Sequence, residues 1–133
     1  WTWGRNQCGQ LGHGDKNEKK YKTPTQVMAL AKKICIKAAA GGQHSIVLTD
    51  ANKIYSWGLN NFGQLGMGRP DEVVTRPDIV PSMRRSGACH IVCGYSHSVA
   101  LLKNEQLYVW GRNDCGQLGL GHYTHSPVPE HVT

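Results

Sequence analysis

One twelve-residue motif occurs three times in the chain and constrains its fold more than any other feature. The copies begin at Trp3, Trp57 and Trp110, so the steps between them are 54 and 53 residues. Each copy reads Trp-Gly-x-Asn-x-x-Gly-Gln-Leu-Gly-x-Gly, and together the copies hold twelve of the 16 glycines. A period of this length is typical of propellers and solenoids, in which each repeat is one supersecondary unit.

The segments between the motif copies are predicted to form β-hairpins. Residues 45–49 and 54–57 are rich in β-branched and aromatic side chains and flank a four-residue polar turn. Residues 98–102 and 107–110 repeat this arrangement in the next unit. Such a pattern indicates two antiparallel strands joined by a short loop.

Two further strands are predicted before each hairpin. They are residues 34–38 and a segment near Val27 in the first unit, matched by residues 88–92 and a segment near Ile79 in the second. Residues 27–33 also fit a short helical turn, because Met, Ala and Leu favour helix. Four short strands per period predict an all-β fold, a β-propeller of four-stranded blades.

The motif and its companion histidines fit a structural role. The tryptophans end strands and offer the large surface needed to fill the gap between neighbouring sheets. The glycines permit positive φ, and the Asn and Gln side chains can hydrogen-bond the loop backbone. The predicted structural repeat residues are Trp3, Gly4, Gly9, Gly12, His44, Trp57, Gly58, Gly63, Gly66, His97, Trp110, Gly111, Gly116 and Gly119.

The motif, paired with Gly-x-x-His-Ser at residues 41–45 and 94–98, resembles the repeat of the regulator of chromosome condensation family. The resemblance covers essentially the whole chain. It implies a seven-bladed propeller, of which the chain would supply about two complete blades with a partial one at each end. Two blades cannot close a ring, so we expect either further chain or association of copies.

The chain is predicted to be part of a single propeller domain. Its repeat units are expected at about residues 4–57 and 58–110, with a partial unit at 111–133. No stretch reaches the roughly 18 consecutive apolar residues that a membrane-spanning helix needs. We therefore expect no membrane span.

The cysteines suggest neither a disulfide framework nor a metal site. There are five, an odd number, with no Cys-x-x-Cys pair, which favours a reducing intracellular compartment: nucleus, cytoplasm or cilium. Cys8 and Cys115 occupy the motif position that holds Phe62 in the middle copy, and we interpret it as a core position. Zinc-ligand spacing is missing, so no metal and no cofactor are predicted.

The two His-Ser pairs, at residues 44–45 and 97–98, are not predicted to be catalytic. Adjacent residues on a strand point to opposite faces, so a serine cannot meet the histidine beside it. We expect buried structural histidines bonded to backbone. No catalytic residue is predicted, and the chain is not expected to be an enzyme unless it promotes nucleotide exchange.

Two basic segments, 15–22 and 81–87, are interpreted as insertions that break the repeat register and therefore as exposed loops. The predicted interface residues, which would contact an acidic partner, are Lys16, Lys19, Lys20, Lys22, Arg84 and Arg85. We expect them on one rim of the propeller if the two connections share a side. The alternative is that these charges only keep the rim solvated.

The resemblance implies an interaction scaffold that binds another protein, such as a small GTPase or a ubiquitin-system, ciliary or cytoskeletal protein. The alternative is guanine-nucleotide exchange on a Ran-like small GTPase with chromatin attachment. The net charge of +6 is compatible with nucleosomes or nucleic acid. Ultraviolet light sensing, which needs additional tryptophans, is disfavoured because only Trp1 lies outside the motif.

Overall fold

Two antiparallel four-stranded sheets dominate the computed structural model, which describes residues 1–69 and 71–133. The first sheet consists of β1 (Cys35–Ala40), β2 (His44–Thr49), β3 (Ile54–Leu59) and β4 (Val73–Ile79). The second consists of β5 (Ala88–Cys93), β6 (His97–Leu102), β7 (Leu107–Gly111) and β8 (Ser126–His131). In both sheets each strand pairs with the next in chain order, which confirms the predicted four-stranded blades.

The first 26 residues add part of a third sheet. Thr2 and Thr25 form an antiparallel bridge, and the Gly4 N–H donates to the Tyr21 carbonyl at 2.8 Å. The bridge is the counterpart of the Ser56–Asp78 pair between β3 and β4. These residues therefore correspond to the two outer strands of a blade that precedes the first sheet.

The predicted hairpins are confirmed, whereas the strand predicted near Val27 is limited to the bridge at Thr25, after which the chain turns. The 3-10 helix Met28–Leu30 follows Val27, as the 3-10 helix Pro81–Met83 follows Val80. Val27 and Val80 are both buried, so each inserts one apolar side chain while the chain turns. The alternative of a short helical turn is the one the structure shows.

The three glycine motifs fold as identical loops, as their Asn and Gln residues predicted. In each loop the Asn Oδ1 accepts from the N–H five residues later, and the Gln Oε1 accepts from the N–H two residues earlier. The Asn bonds are Leu11 to Asn6 at 3.1 Å, Leu65 to Asn60 at 3.0 Å and Leu118 to Asn113 at 3.0 Å. The Gln bonds are Cys8 to Gln10, Phe62 to Gln64 and Cys115 to Gln117, each 2.9 Å.

The tryptophan of each blade packs against the glycine motif of the blade before it. Trp57 and Trp110 are 2% and 0% exposed. A Cβ on Gly12 would lie 2.8 Å from Trp57 Nε1, and a Cβ on Gly66 would lie 2.8 Å from Trp110 Nε1. Both glycines also have positive φ. These positions require glycine because the indole ring occupies the space of a side chain.

Two expectations about the motif need correction. Trp3 is 56% exposed, since none of the described residues forms a glycine motif that packs on its ring. The position shared by Cys8, Phe62 and Cys115 is also not in the core, since the first two are half-buried and Cys115 is exposed. Phe62 lies on the outside of its loop, where the Arg112 guanidinium sits 5.0 Å from its ring centroid.

His44 joins the two sheets through a side chain, not through backbone as predicted. Its Nε2 lies 2.9 Å from Ser98 Oγ, and that hydroxyl donates its one hydrogen to the Gln64 carbonyl at 2.8 Å. His44 Nε2 is therefore the donor, and the ring is neutral with an unprotonated Nδ1. Within the described residues Nδ1 has no hydrogen-bond partner. Burial, and secondarily nearby His97, lowers the pKa of His44 to about 4.

We expect Trp57→Ala to lower the free energy of unfolding by about 3–5 kcal/mol, because it empties the contact between two blades. The matched aromatic control is Tyr123→Ala at a side chain that is 72% exposed. That change should stay within about 0.5 kcal/mol. Denaturant titration followed by tryptophan fluorescence and circular dichroism measures both, and equal losses in the two variants would contradict the packing role.

We expect His44 to make stability depend on pH between about 6.5 and 4. The unfolded chain binds a proton on this ring near pH 6.5, whereas the folded protein resists protonation down to about 4. Its stabilisation is thus complete above pH 6.5 and is lost as the pH falls, by on the order of 3 kcal/mol. Unfolding measured across this range should be less pH-dependent in His44→Gln, and an unchanged profile would contradict the assignment.

Candidate interaction surfaces

The basic loop after the first glycine motif is anchored by its one buried aromatic residue. The Tyr21 ring stacks on His13 with centroids 4.0 Å apart, and its hydroxyl donates to Asp15 at 2.7 Å. That hydrogen bond is the main reason why the pKa of Asp15 is lowered. Lys20 Nζ lies 3.7 Å from the same carboxylate. Of the four predicted interface lysines in this loop, Lys20 is therefore engaged within the loop.

The other lysines of this loop, Lys16, Lys19 and Lys22, are exposed. They make no ion pair among residues 1–69 and 71–133. The only other ion pair of the loop within those residues joins Glu18 to Arg5, at 3.8 Å. Three of the four lysines thus have ammonium groups available to a partner.

The second predicted segment, 81–87, does not break the repeat register. It corresponds to residues 28–34, because the 3-10 helices Met28–Leu30 and Pro81–Met83 lie 53 residues apart and follow equally buried valines. The segment is a repeated connection between blades and not an insertion. Arg84 and Arg85 are nevertheless exposed, as predicted, because they follow the helix on the outside of the turn.

The two predicted segments lie at opposite ends of the strands, so the expectation of a single rim is wrong. The basic loop leaves Gly14, whose N–H donates to the Thr75 carbonyl near the start of β4. Arg84 and Arg85 follow the other end of β4, where the Val80 N–H donates to the Ile54 carbonyl beside the β2–β3 hairpin. We call these the glycine-motif end and the hairpin end.

Four further exposed lysines lie at the hairpin end with Arg84 and Arg85. They were not predicted from the sequence. They are Lys32 and Lys33 before β1, Lys53 in the β2–β3 turn and Lys103 in the β6–β7 turn. Lys32 could have been predicted, because it lies 53 residues, which is one repeat, before Arg85. The grouping was missed because these cations are far apart in the sequence and lie at the same end of the sheets only when the strands pair.

Ion pairs divide unequally between the two ends. All five ion pairs among the described residues use a cation of the glycine-motif end: Arg5, Lys20, Arg69 twice, and Arg112. Arg69 bonds both Asp71 and Asp78, and Arg112 holds Asp114, whose pKa it lowers by hydrogen bonding. None of the six cations at the hairpin end has an ion-pair partner in the described part of the chain.

The buried His44–Ser98 pair offers no nucleophile. Ser98 is 0% exposed and its hydroxyl is already bonded to two groups. Across residues 1–69 and 71–133 there is no group of three or more His, Cys, Asp or Glu side chains able to hold a metal ion. The same residues include no helix with the length and apolar character needed to cross a membrane.

An apolar cleft of about 460 Å³ lies between the partial blade and the first sheet. Its walls include Trp1, Val27, Ala39 and Ile46. The second sheet packs β5 against β1 and β2, which fills the equivalent space between the two complete blades. The cleft is therefore a blade-packing face and not a pocket built for a small ligand.

Comparison with known proteins agrees with this geometry. The model of the regulator of chromosome condensation (RCC1) repeat matches residues 1–48, 52–101 and 104–133, and a second model of the same repeat matches residues 35–64 and 88–117. These matches cover nearly the whole chain.

Among curated relatives, the ultraviolet-B receptor UVR8 of Arabidopsis thaliana is 36% identical over 132 residues, which are 98% of this chain and 29% of the relative. The probable E3 ubiquitin-protein ligase HERC4 of Homo sapiens is 40% identical over 130 residues, which are 98% of this chain and 12% of the relative. The chain thus spans less than a third of either relative.

Among solved structures, Prp20p of Saccharomyces cerevisiae superposes with a TM-score of 0.87 at 25% identity, over 98% of this chain and 33% of that one. The sheets, the repeated loops and the sequence matches agree with one another. The chain belongs to the regulator of chromosome condensation (RCC1) repeat family.

Proposed function

We propose that this propeller segment is a protein-interaction scaffold. The observation that carries the proposal is how the repeated residues are used. The Asn and Gln of each motif are bonded within its loop, and Trp57 and Trp110 are packed between blades, so they hold the architecture. The exposed cations in the connecting turns do not hold the blades together in this way. Surface turns on a rigid repeat framework are suited to binding other molecules.

The six predicted interface residues support contact with an acidic partner. Lys16, Lys19, Lys20 and Lys22 would act at the glycine-motif end, and Arg84 and Arg85 at the hairpin end. Because these ends face apart, two partners, or one that wraps the rim, would be needed to contact them all. HERC4 is named as a probable ubiquitin-protein ligase, which favours a partner from the ubiquitin system among the classes that the resemblance implies.

The scaffold proposal predicts that the intact protein holds a partner through its surface turns. A zero-length carbodiimide crosslinker joins Lys amines to carboxylates, so crosslinks in cell extract should link lysines of the connecting turns to Asp or Glu of another protein. Mass spectrometry identifies both ends of each crosslink. If every crosslink were internal at several extract concentrations, the scaffold proposal would be rejected.

Guanine-nucleotide exchange is the second candidate, and the similarity to Prp20p favours it. Prp20p has binding properties toward Gsp1p and histones. Exchange by the present protein would require the segment to loosen nucleotide on a small GTPase by contacts from its loops.

An exchange factor should accelerate release of a fluorescent guanine nucleotide from its GTPase by orders of magnitude. We expect the intact protein to leave release from a Ran-like GTPase within about twofold of the intrinsic rate if it is only a scaffold. Prp20p is the positive control for the assay. Strong acceleration would replace the scaffold proposal with the exchange function.

A further inference from the structure

The turns at the hairpin end form one continuous surface. The Asp50 N–H donates to the Ile34 carbonyl at 2.9 Å, which ties the β2–β3 turn to the segment that carries Lys32 and Lys33. The Val80 N–H donates to Ile54 beside Lys53. The Lys103 N–H donates to the Gly87 carbonyl at 3.1 Å, which joins the β6–β7 turn to the segment with Arg84 and Arg85.

The turns of this surface carry a net positive charge. Its turns carry six exposed cations against two carboxylates, Asp50 and Glu105, and no ion pair forms between them in the described residues. At the glycine-motif end, by contrast, arginines are held by neighbouring carboxylates. A cation already paired in its own loop has less to gain from a partner than a free one. The hairpin end is thus the stronger electrostatic surface.

The fold does not require Lys53, Lys103 or Arg84. Positions 53 residues apart hold different residues: Lys53 corresponds to Gln106, Lys103 to Asp50 and Arg84 to Ala31. What the two hairpin turns share is their backbone, since Asn52 and Glu105 both adopt positive φ, at 55° and 68°. These three charges can therefore be changed without removing a contact that the blade needs, whereas Lys33 lies over the Tyr55 ring at 5.1 Å and Lys32 and Arg85 recur as cations 53 residues apart.

The distribution of charge favours a protein partner over a nucleic acid. A duplex presents about one phosphate per 1.7 Å of its axis, so a surface that tracks it gains from an unbroken row of cations. Here Asp50 lies in the first hairpin turn and Glu105 in the second, between the basic positions. An extended acidic peptide carries one carboxylate per about 3.3 Å and can turn individual side chains away from Asp50 and Glu105, and the guanidinium groups of Arg84 and Arg85 match carboxylates in a bidentate manner.

We propose that the hairpin end binds an acidic segment of a partner protein, one rich in Asp and Glu, across neighbouring blades. The residues that would contact it are Lys32, Lys33, Lys53, Arg84, Arg85 and Lys103. This inference rests on the scaffold function proposed above and assigns the chemistry of its partner. It keeps Arg84 and Arg85 from the sequence-based interface and places their binding companions at the hairpin end instead of in the Lys16–Lys22 loop.

The test uses the intact protein and a fluorescein-labelled decamer of glutamate, with fluorescence anisotropy at about 20 mM and about 150 mM salt. The hairpin-end variant combines Lys53→Glu, Arg84→Glu, Arg85→Glu and Lys103→Glu. The comparison variant combines Lys16→Glu, Lys19→Glu, Lys20→Glu and Lys22→Glu, which changes the net charge by the same amount at the glycine-motif end, where the sequence-based interface is also proposed. Circular dichroism and the unfolding midpoint check that both variants are folded.

We expect the hairpin-end variant to bind the glutamate decamer at least about tenfold more weakly than the unchanged protein, and at least about fivefold more weakly than the glycine-motif-end variant. If charge reversal impairs folding, the same four positions changed to Gln should weaken binding by about threefold or more. Equal weakening in both variants, or no weakening in either, would overturn the proposal. So would tighter binding of a short DNA duplex than of the peptide, with the same dependence on the hairpin end.

These results are distinct from failure of the scaffold function. If a partner is crosslinked in extract but decamer binding is unchanged in the hairpin-end variant, the scaffold proposal stands and this binding surface is rejected. The absence of any crosslinked partner would reject the scaffold itself, whatever the decamer does.

Discussion

The structure depends on the contact between an indole ring and the glycine motif of the preceding blade. Trp57 lies on Gly12 and donates to the Gln10 carbonyl at 2.7 Å, and Trp110 lies on Gly66 in the same way. The contact buries a large apolar ring between sheets and satisfies a loop carbonyl at the same time in the first case. The loop can present that carbonyl because its own Asn and Gln side chains fix its shape.

This contact explains which parts of the fold were predictable from the sequence. A period that repeats Trp, Gly, Asn and Gln together predicts blades, because the Asn and Gln side chains make the same loop hydrogen bonds in every unit and both buried tryptophans lie on a motif glycine of the preceding unit. The hairpins were predictable for a related reason, since alternating strands around a polar turn need only local information. The helical turn after Val27 was left open, because a single buried valine reads equally well as strand or turn.

The sequence-based predictions that were wrong concern contacts between repeat units. Sequence alone does not show which motif tryptophans are covered by a neighbouring blade, or that Phe62 lies outside its loop. Nor does it show that Arg84 lies at the opposite end of a strand from Lys19, because that requires the strand order. The His44 partner was missed for the same reason, since Ser98 is 54 residues away and in the next sheet.

The two ends of the surface differ in whether their cations are paired with carboxylates. At the glycine-motif end, carboxylates hold Arg69 and Arg112 in place, so part of the positive charge serves to stiffen loops. At the hairpin end the cations project from turns whose backbone is set by other bonds. The formal charge of the whole chain hides this difference, because it counts paired and unpaired cations alike.

The linkage between blades has a direction. His44 in the first sheet bonds Ser98 in the second, and Ser98 bonds the Gln64 carbonyl back in the glycine motif that follows β3. Trp110 in turn rests on Gly66 of the same motif. A lesion in one glycine loop is therefore transmitted to the next blade along the chain as well as to the blade that contains it, where Ser56 donates to the Leu65 carbonyl. Hydrogen exchange in a damaged propeller would show reduced protection one blade downstream of the altered residue as well as around it.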